Sequence, residues 1–432
     1  MMTEQEMGIE LDGFRILLEG LYGGMGLNDP LQRIRAKAWE RFTELGLPTR
    51  SHDVYRYLRL RSLYSQSYAS AKKSEIAFES ISPYILPECQ QSVLVFVNGF
   101  FVSELSRTEQ LPKRAVVSSL SGAMRTYSTF LNSRWTSALK EETDPFVALN
   151  GALQSEALFF YLPPKTVVDA PIQLLNIIDA KDAPMLVLPR LQAFIGSQSQ
   201  ANFVSTQAVV SGRGYGVNMV VDLAIEEGAR VQHTQISTQL ADDTWDLTAI
   251  RGVLKRDSFF KTVAVTTGAA TVRQDYRVTM TGENAEVSLN GLWMLDEKRE
   301  AHTHVLIEHQ APHCRSMQLF KGVLNGLSRS AFEGKILVRQ AAQKTEAFQL
   351  NHNLLLSDLA HADSKPNLEI FADDVKASHG ATMGQLDKEQ LFYMSARGFN
   401  LETAKKLLVH GFCEEVLAQI PLDSLKRELK IG

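Results

Sequence analysis

The sequence predicts a mainly β protein: a central β-helix (β-solenoid) flanked by an N-terminal α/β region and a C-terminal helical domain. Three observations carry this. From about Thr166 to about Val375, short β-branched runs alternate with Gly, Asn and Asp turns, and helical periodicity is hard to find. Helical segments with capping signals stand on either side. At 432 residues the chain is too long for one compact core. A solenoid lets short strands accumulate without enlarging a single core, although a large sandwich shares the same periodicity. The predicted units are 1–165 (helical and mixed), 166–375 (β-helix core) and 376–432 (helical).

In the first unit, Asp29-Pro30 opens a helix that carries Leu31, Ile34, Ala38, Phe42 and Leu45, and Gly46-Leu47-Pro48 ends it. Val93 to Val97 reads as a strand running into a hairpin turn at Asn98-Gly99. Asp144-Pro145 opens a second helix, with Phe146, Leu149, Leu153 and Leu158 roughly on one face. In the β region a phrase recurs: Glu227-Gly228-Ala229-Arg230-Val231, then Glu283-Asn284-Ala285-Glu286-Val287. A residue that tolerates positive φ is followed by side chains alternating inward and outward. In the last unit Asp387 with Gln390 caps one helix and Gly398 stops it. Asn400 caps another, and a short charged helix closes the chain at about Ser424 to Leu429. This unit is too small for its own core, so it packs on the β domain or offers an apolar face to a partner.

Composition narrows the function. The 49 acidic and 45 basic residues give a formal charge of −4, so no global field points to nucleic acid or anionic lipid. The acidic N-terminus lacks a signal-peptide pattern, and the apolar stretch from Val93 to Val102 is too short to span a bilayer. A cytoplasmic protein with no membrane partner is expected. Cys89, Cys314 and Cys413 are far apart, so no self-contained zinc or iron–sulfur site can be read.

Gly212-Arg213-Gly214-Tyr215-Gly216 starts like a dinucleotide loop but leads into a strand, so it reads as a turn. Gly334-Lys335 is no P-loop. His302, His304 and Glu308 share one strand face in the spacing of a cupin motif, which admits a metal-dependent enzyme as the alternative. The flanking glycines of that motif are missing, and hydrogen-bonding histidines are the favoured reading. Asp275, Asp296 and Glu300 are the loosest carboxylate candidates. His379, beside Gly380, cannot make a closed metal site alone.

The run Ser378-His379-Gly380-Ala381-Thr382-x-Gly384 resembles the signature of the SufB/SufD family of iron–sulfur cluster assembly proteins, in its SufD form. Phe392-Tyr393-x-x-x-Arg397-Gly398, Gly322-Val323-Leu324, Phe332-x-Gly334-Lys335-Ile336, Asp144-Pro145-Phe146 and Gly46-Leu47-Pro48-Thr49-Arg50 extend the likeness over nearly the whole chain. The resemblance implies a non-enzymatic scaffold of the SUF system that pairs with SufB through the β-helix. It implies that the SufC ATPase docks on the helical tail, where Leu391, Phe392, Arg397, Leu407, Leu408 and Phe412 fall. It implies that His379, supported by Ser378, Gly380, Ala381 and Thr382, joins a partner cysteine in holding a transient iron–sulfur cluster. The isolated chain would hold none. A homodimer of the isolated chain is a further expectation, because open sheet edges invite pairing. Two departures stand out: Ala377 replaces the cysteine many members carry two residues before the histidine, and Tyr55 replaces a usual Trp.

Overall fold

A computed structural model describes residues 4–26, 30–181, 183–238 and 240–429, with side chains from Ile9 onward. Asp29, read as a helix cap, and the first three residues of the acidic N-terminus lie outside the described residues. Strand outweighs helix, 42% against 26%, and the strands coil into a β-solenoid of about 8 turns.

Each turn gives one strand to each of two sheets. Gly216–Ile225, Trp245–Leu254, Thr271–Met280, Glu300–His309, Arg329–Val338 and His361–Ile370 stack in one sheet. Arg230–Ser237, Phe259–Thr266, Glu286–Leu295, Arg315–Leu324, Thr345–Leu355 and Val375–Gly384 stack in the other. All these neighbours are parallel, and most are in full register: Arg230 pairs with Phe259, Phe259 with Glu286, and Glu286 with Arg315. Two facing sheets look locally like a sandwich. The unbroken parallel coil makes the structure a solenoid.

One corner shows what the recurring phrase does. Gln198, Gly228, Asp257, Asn284, His313 and Lys344 all have positive φ. Each donates its N–H one turn on, to the carbonyls of Glu227, Arg256, Glu283, Pro312, Gln343 and Asp374 respectively. The left-handed residue turns the chain while keeping the backbone ladder intact. Glycine is used at only one of these six corners, so the local cost of that conformation is accepted five times.

Side chains alternate along each strand. The inner face carries Val217, Val221, Ile250, Tyr276, Phe320 and Phe332, all essentially buried. Phe320 lies 5.0 Å from the ring of Phe332 and 6.2 Å from that of Trp293. A Cβ at Gly291 would collide with the Phe320 ring, which explains glycine mid-strand there.

The N-terminal region finishes one end of the coil and covers one sheet. Val93–Val97 and Phe100–Arg107 form the expected hairpin, with Asn98 at φ 51° and Gly99 at φ 82°. Helices Gln32–Leu45, Leu120–Glu141 and Pro145–Leu153 pack Ile34, Phe42, Trp135, Phe146 and Leu149 on Trp245 and Leu247 of the outer face. Asp144 caps the third of these, accepting from the N–H groups of Phe146 and Val147. Leu158 is not on that helix. It begins the strand Leu158–Leu162 after the chain leaves the helix at Gln154. The long helix Leu120–Glu141 gave little periodic signal, because its exposed face is broad and Tyr127 interrupts its geometry.

Helix Leu401–Leu417 packs Val409, Cys413 and Val416 on Val263, Leu292, Leu319 and Val323 of the other sheet's outer face, so the small last unit borrows the solenoid's surface as its core. Asp387 and Asn400 cap their helices as expected. His361–Ile370 and Val375–Gly384 are the two strands of the solenoid's last turn, with Phe371 to Asp374 as the corner between them. Among the described residues no helix is long and apolar enough to cross a membrane.

Truncating Phe320 to Ala should cost about 3–5 kcal/mol, because its ring fills the interior between both sheets. Urea unfolding of the variant beside the wild type measures this.

Candidate functional site

The last turn of the solenoid is its open end. Val375–Gly384 pairs on one side with Thr345–Leu355, and His361–Ile370 with Arg329–Val338. Their other edges pair with no strand among the described residues. Unpaired N–H and C=O groups of an edge are a template for another chain.

His379 sits mid-strand in this edge, exposed, in register with Gln349. Among the described residues no hydrogen-bond or ion-pair partner holds its ring. Parallel register puts His379 on the same face as Gln349, which is wholly buried inside the coil. The imidazole therefore stands over the mouth of the solenoid, not on its flank. Ser378 and Ala381 are exposed beside it. Thr382 meets His352, oxygen to Nδ1, at 2.7 Å. Gly380 has ordinary strand geometry, and a Cβ there would meet only Leu350, at 3.2 Å. Ala377 packs on the small cluster of Ile336, Val338 and Ala347 that closes the interior.

The proposed docking residues divide. Phe392 is 76% exposed and Leu407 44%, while Leu391, Leu408 and Phe412 are half-buried. Arg397 lies over the ring of Tyr393, 5.0 Å from its centre. Helix Lys388–Ala396 buries no residue at all. Tyr393, Phe399 and Leu401 are exposed too and add to the apolar residues that the resemblance singled out. Phe412 instead faces inward, against Lys321, whose Nζ donates to its carbonyl at 3.0 Å.

The cupin-like residues do not converge. His302 Nε2 lies 3.2 Å from Glu300, itself 3.0 Å from Arg59. His304 Nδ1 lies 2.8 Å from Asp275, and Glu308 accepts from Arg339 at 2.6 Å. They share a strand face, as the spacing required, but each is held by a different partner and the fold is a coil, not a cupin barrel. Asp275 and Glu300 belong to these separate ion pairs, and Asp296 accepts from Asn325 in a turn. Among the described residues no three His, Cys, Asp or Glu side chains form a metal-holding group. All three cysteines are buried and unbridged, and burial pushes the Cys89 and Cys413 thiols up to about 12, far from the thiolate state.

Spacing gave no sign of an ionic network beneath the N-terminal region. Arg251 bridges Glu142 at 2.8 Å and Asp275 at 2.6 Å. Arg273 bridges Asp144 at 3.0 Å and Asp275 at 2.7 Å, with its guanidinium 4.4 Å from the Tyr55 ring. The arginines come from the solenoid, and Glu142 and Asp144 from the loop that starts helix Pro145–Leu153. Burial opposes ionisation of Asp275 and Glu142, but the arginines overcome it and hold both carboxyls below their usual range.

The family described as SUF system FeS cluster assembly, SufBD core domain, matches residues 176–412, and the SufBD N-terminal region matches residues 26–174. The chain belongs to the SufBD family. A SufBD family iron–sulfur cluster assembly protein of Synechocystis is 31% identical over 397 residues, covering 89% of this chain and 86% of that one. The iron–sulfur cluster assembly protein SufD of Escherichia coli is 27% identical over 396 residues, covering 89% and 88%. A chloroplastic protein of Arabidopsis thaliana is 26% identical over 412 residues, covering 91% and 83%. Tyr55, a departure from the SufBD pattern, still packs as an aromatic plate, between Phe146 and Arg273.

Removing one partner of the ionic network leaves a buried charge unpaired, so Arg273→Met should cost about 3–5 kcal/mol in urea unfolding at neutral pH. The same groups set the acid response. Asp275 and Glu142 have depressed folded values. Their contribution is therefore complete above the unfolded carboxylate pKa of about 4 and is lost below it. Burial lowers His233 and His309 to about 4. Unfolded histidine titrates near about 6.5, so stability should begin to fall there and drop further below about 4. Unfolding midpoints across pH test this, and a flat profile from neutral to acid contradicts it.

Proposed function

We propose that the chain is a scaffold subunit of the SUF iron–sulfur assembly machine, acting in the cytoplasm without catalysis of its own. Its open last turn pairs with a SufB partner, and its C-terminal helices take up the SufC ATPase. The nascent cluster is cargo at the joint. There His379 supplies an imidazole and the partner supplies thiolates, because this chain's own thiols are buried. The observation that carries this is His379, over the mouth of a solenoid, with no partner for its ring and no strand beside the last edges among the described residues.

Each part has a physical basis. An edge of two ten-residue strands offers backbone donors and acceptors in a rigid register. The exposed Phe392, Tyr393 and Leu401 provide the apolar patch that a docking partner needs. Ala377 leaves His379 as the obvious ligand of its motif, which makes the site a half-site.

In the complex co-expressed with SufB and SufC homologues, His379→Ala should lower iron and sulfide content to less than half while the subunits still co-purify. Unchanged iron and sulfide would remove His379 from the mechanism. Failure of the partners to co-purify with the wild-type chain would remove the scaffold reading itself.

A further inference from the structure

The inner face of the solenoid mixes apolar side chains with buried polar ones along its length, from Asn176 and His233 to Gln318 and Gln349. Among the buried side chains on it that carry an atom with no hydrogen-bond partner among the described residues, six follow the coil: Gln235 Oε1, Gln274 Nε2, Tyr276 Oη, Trp293 Nε1, Gln318 Nε2 and Gln349 Oε1. None is more than 4% exposed. They follow one another along the coil, with the Phe320 ring between Tyr276, Trp293 and Gln318. Gln235 donates to Thr248 at 3.0 Å, and Thr248 donates to Asp246 at 3.2 Å. Thr248 is in register with Gln274, which shares its strand face with Tyr276. The Tyr276 and Trp293 rings each lie 6.2 Å from Phe320. Gln318, two residues from Phe320, accepts from Gln349 at 2.9 Å, and Gln349 is in register with His379.

The backbone makes room for these groups. A Cβ at Gly334 would overlap Gln349, whose side chain therefore reaches across to the opposite sheet. A Cβ at Gly322 would overlap Trp293 Nε1. Space is kept for polar tips that the protein itself does not satisfy. A dry interior would leave each tip at the cost of a lost hydrogen bond, and six such losses would cancel the stability of an ordinary domain. A water molecule with two to four polar partners removes that cost.

We propose that the solenoid is wet along its axis: internal waters bridge these six groups into a hydrogen-bonded file that carries protons between Asp246 and the open end beside His379. The water file stands on the interior geometry alone. Only its meaning for the cluster joint rests on the proposed function. Asp246 is a suitable inner terminus. It is 2% exposed, and burial raises its carboxyl to about 6 despite hydrogen bonds from Thr248 and Ser237. At about pH 5 it holds a proton that has no direct route to solvent.

The test uses the full isolated chain. A high-resolution crystal structure should show ordered waters within hydrogen-bond distance of Gln274, Tyr276, Trp293, Gln318 and Gln349. Water-oxygen relaxation dispersion should count the same long-lived molecules in solution. Side chains that re-pair with one another around dry space would overturn the proposal. The proton path is read by infrared spectroscopy at about pH 5, as deuteration of the carboxyl band that Asp246→Asn removes. Gln318→Leu combined with Gln349→Leu should slow that deuteration more than about tenfold, because exchange would then require the coil to open. An unchanged rate in a folded double variant overturns the path. If that variant does not fold, wild-type deuteration no faster than exchange of the core amides overturns it equally.

Discussion

Parallel stacking in register is the constraint on which the rest of the structure depends. No single turn can bury its inner face or satisfy its backbone. Each turn therefore needs a neighbour on both sides, and the first and last turns are problems to be solved. The antiparallel hairpin Val93–Val97 with Phe100–Arg107 solves the first. Nothing among the described residues of the chain solves the last. The candidate site lies where that requirement is unmet, which is why His379 is well placed by register and has no partner among the described residues.

The outer faces show a second division of labour. On one sheet the cover is held by apolar packing plus the Arg251, Arg273, Asp275, Glu142 and Asp144 network. Such buried charges add less net stability than well-packed apolar groups would, but they tolerate few alternative arrangements. A hydrophobic cover alone could slide along a repetitive sheet, and the paired arginines tie it to two particular turns. On the other sheet helix Leu401–Leu417 sits on aliphatic side chains, while the helix before it, Lys388–Ala396, buries nothing. The same short unit is thus anchored at one end and presented at the other.

Much of this was legible in the sequence. Asn98-Gly99, Asp144, Asp387 and Asn400 announced their turns and caps because those roles are set by local backbone chemistry. The phrase around Gly228 and Asn284 announced the corner for the same reason. What stayed hidden depends on register between distant segments. Gln349 looks like any polar strand residue until its pairing with His379 is known. Asp275 and Glu142 are 133 residues apart and meet only through the coil, and the spacing of His302, His304 and Glu308 could not show that each has a partner elsewhere. The strand Val375–Gly384 is hard to read because its mostly exposed residues lack the alternation that a covered strand displays.

The unequal ends of the coil also decide how far association can go. The starting end finishes in antiparallel strands, with a register shift between Val93 and Val95, so the parallel ladder of the coil changes direction there. Among the described residues the other end alone finishes in two parallel strands of the coil, ready to continue the ladder in register. Two of these ends meeting about a twofold axis consume each other, whether the second belongs to a copy or to a different chain. A joint of that kind is closed, whereas growth into a filament, the usual hazard of a repetitive β architecture, needs unlike ends that meet head to tail.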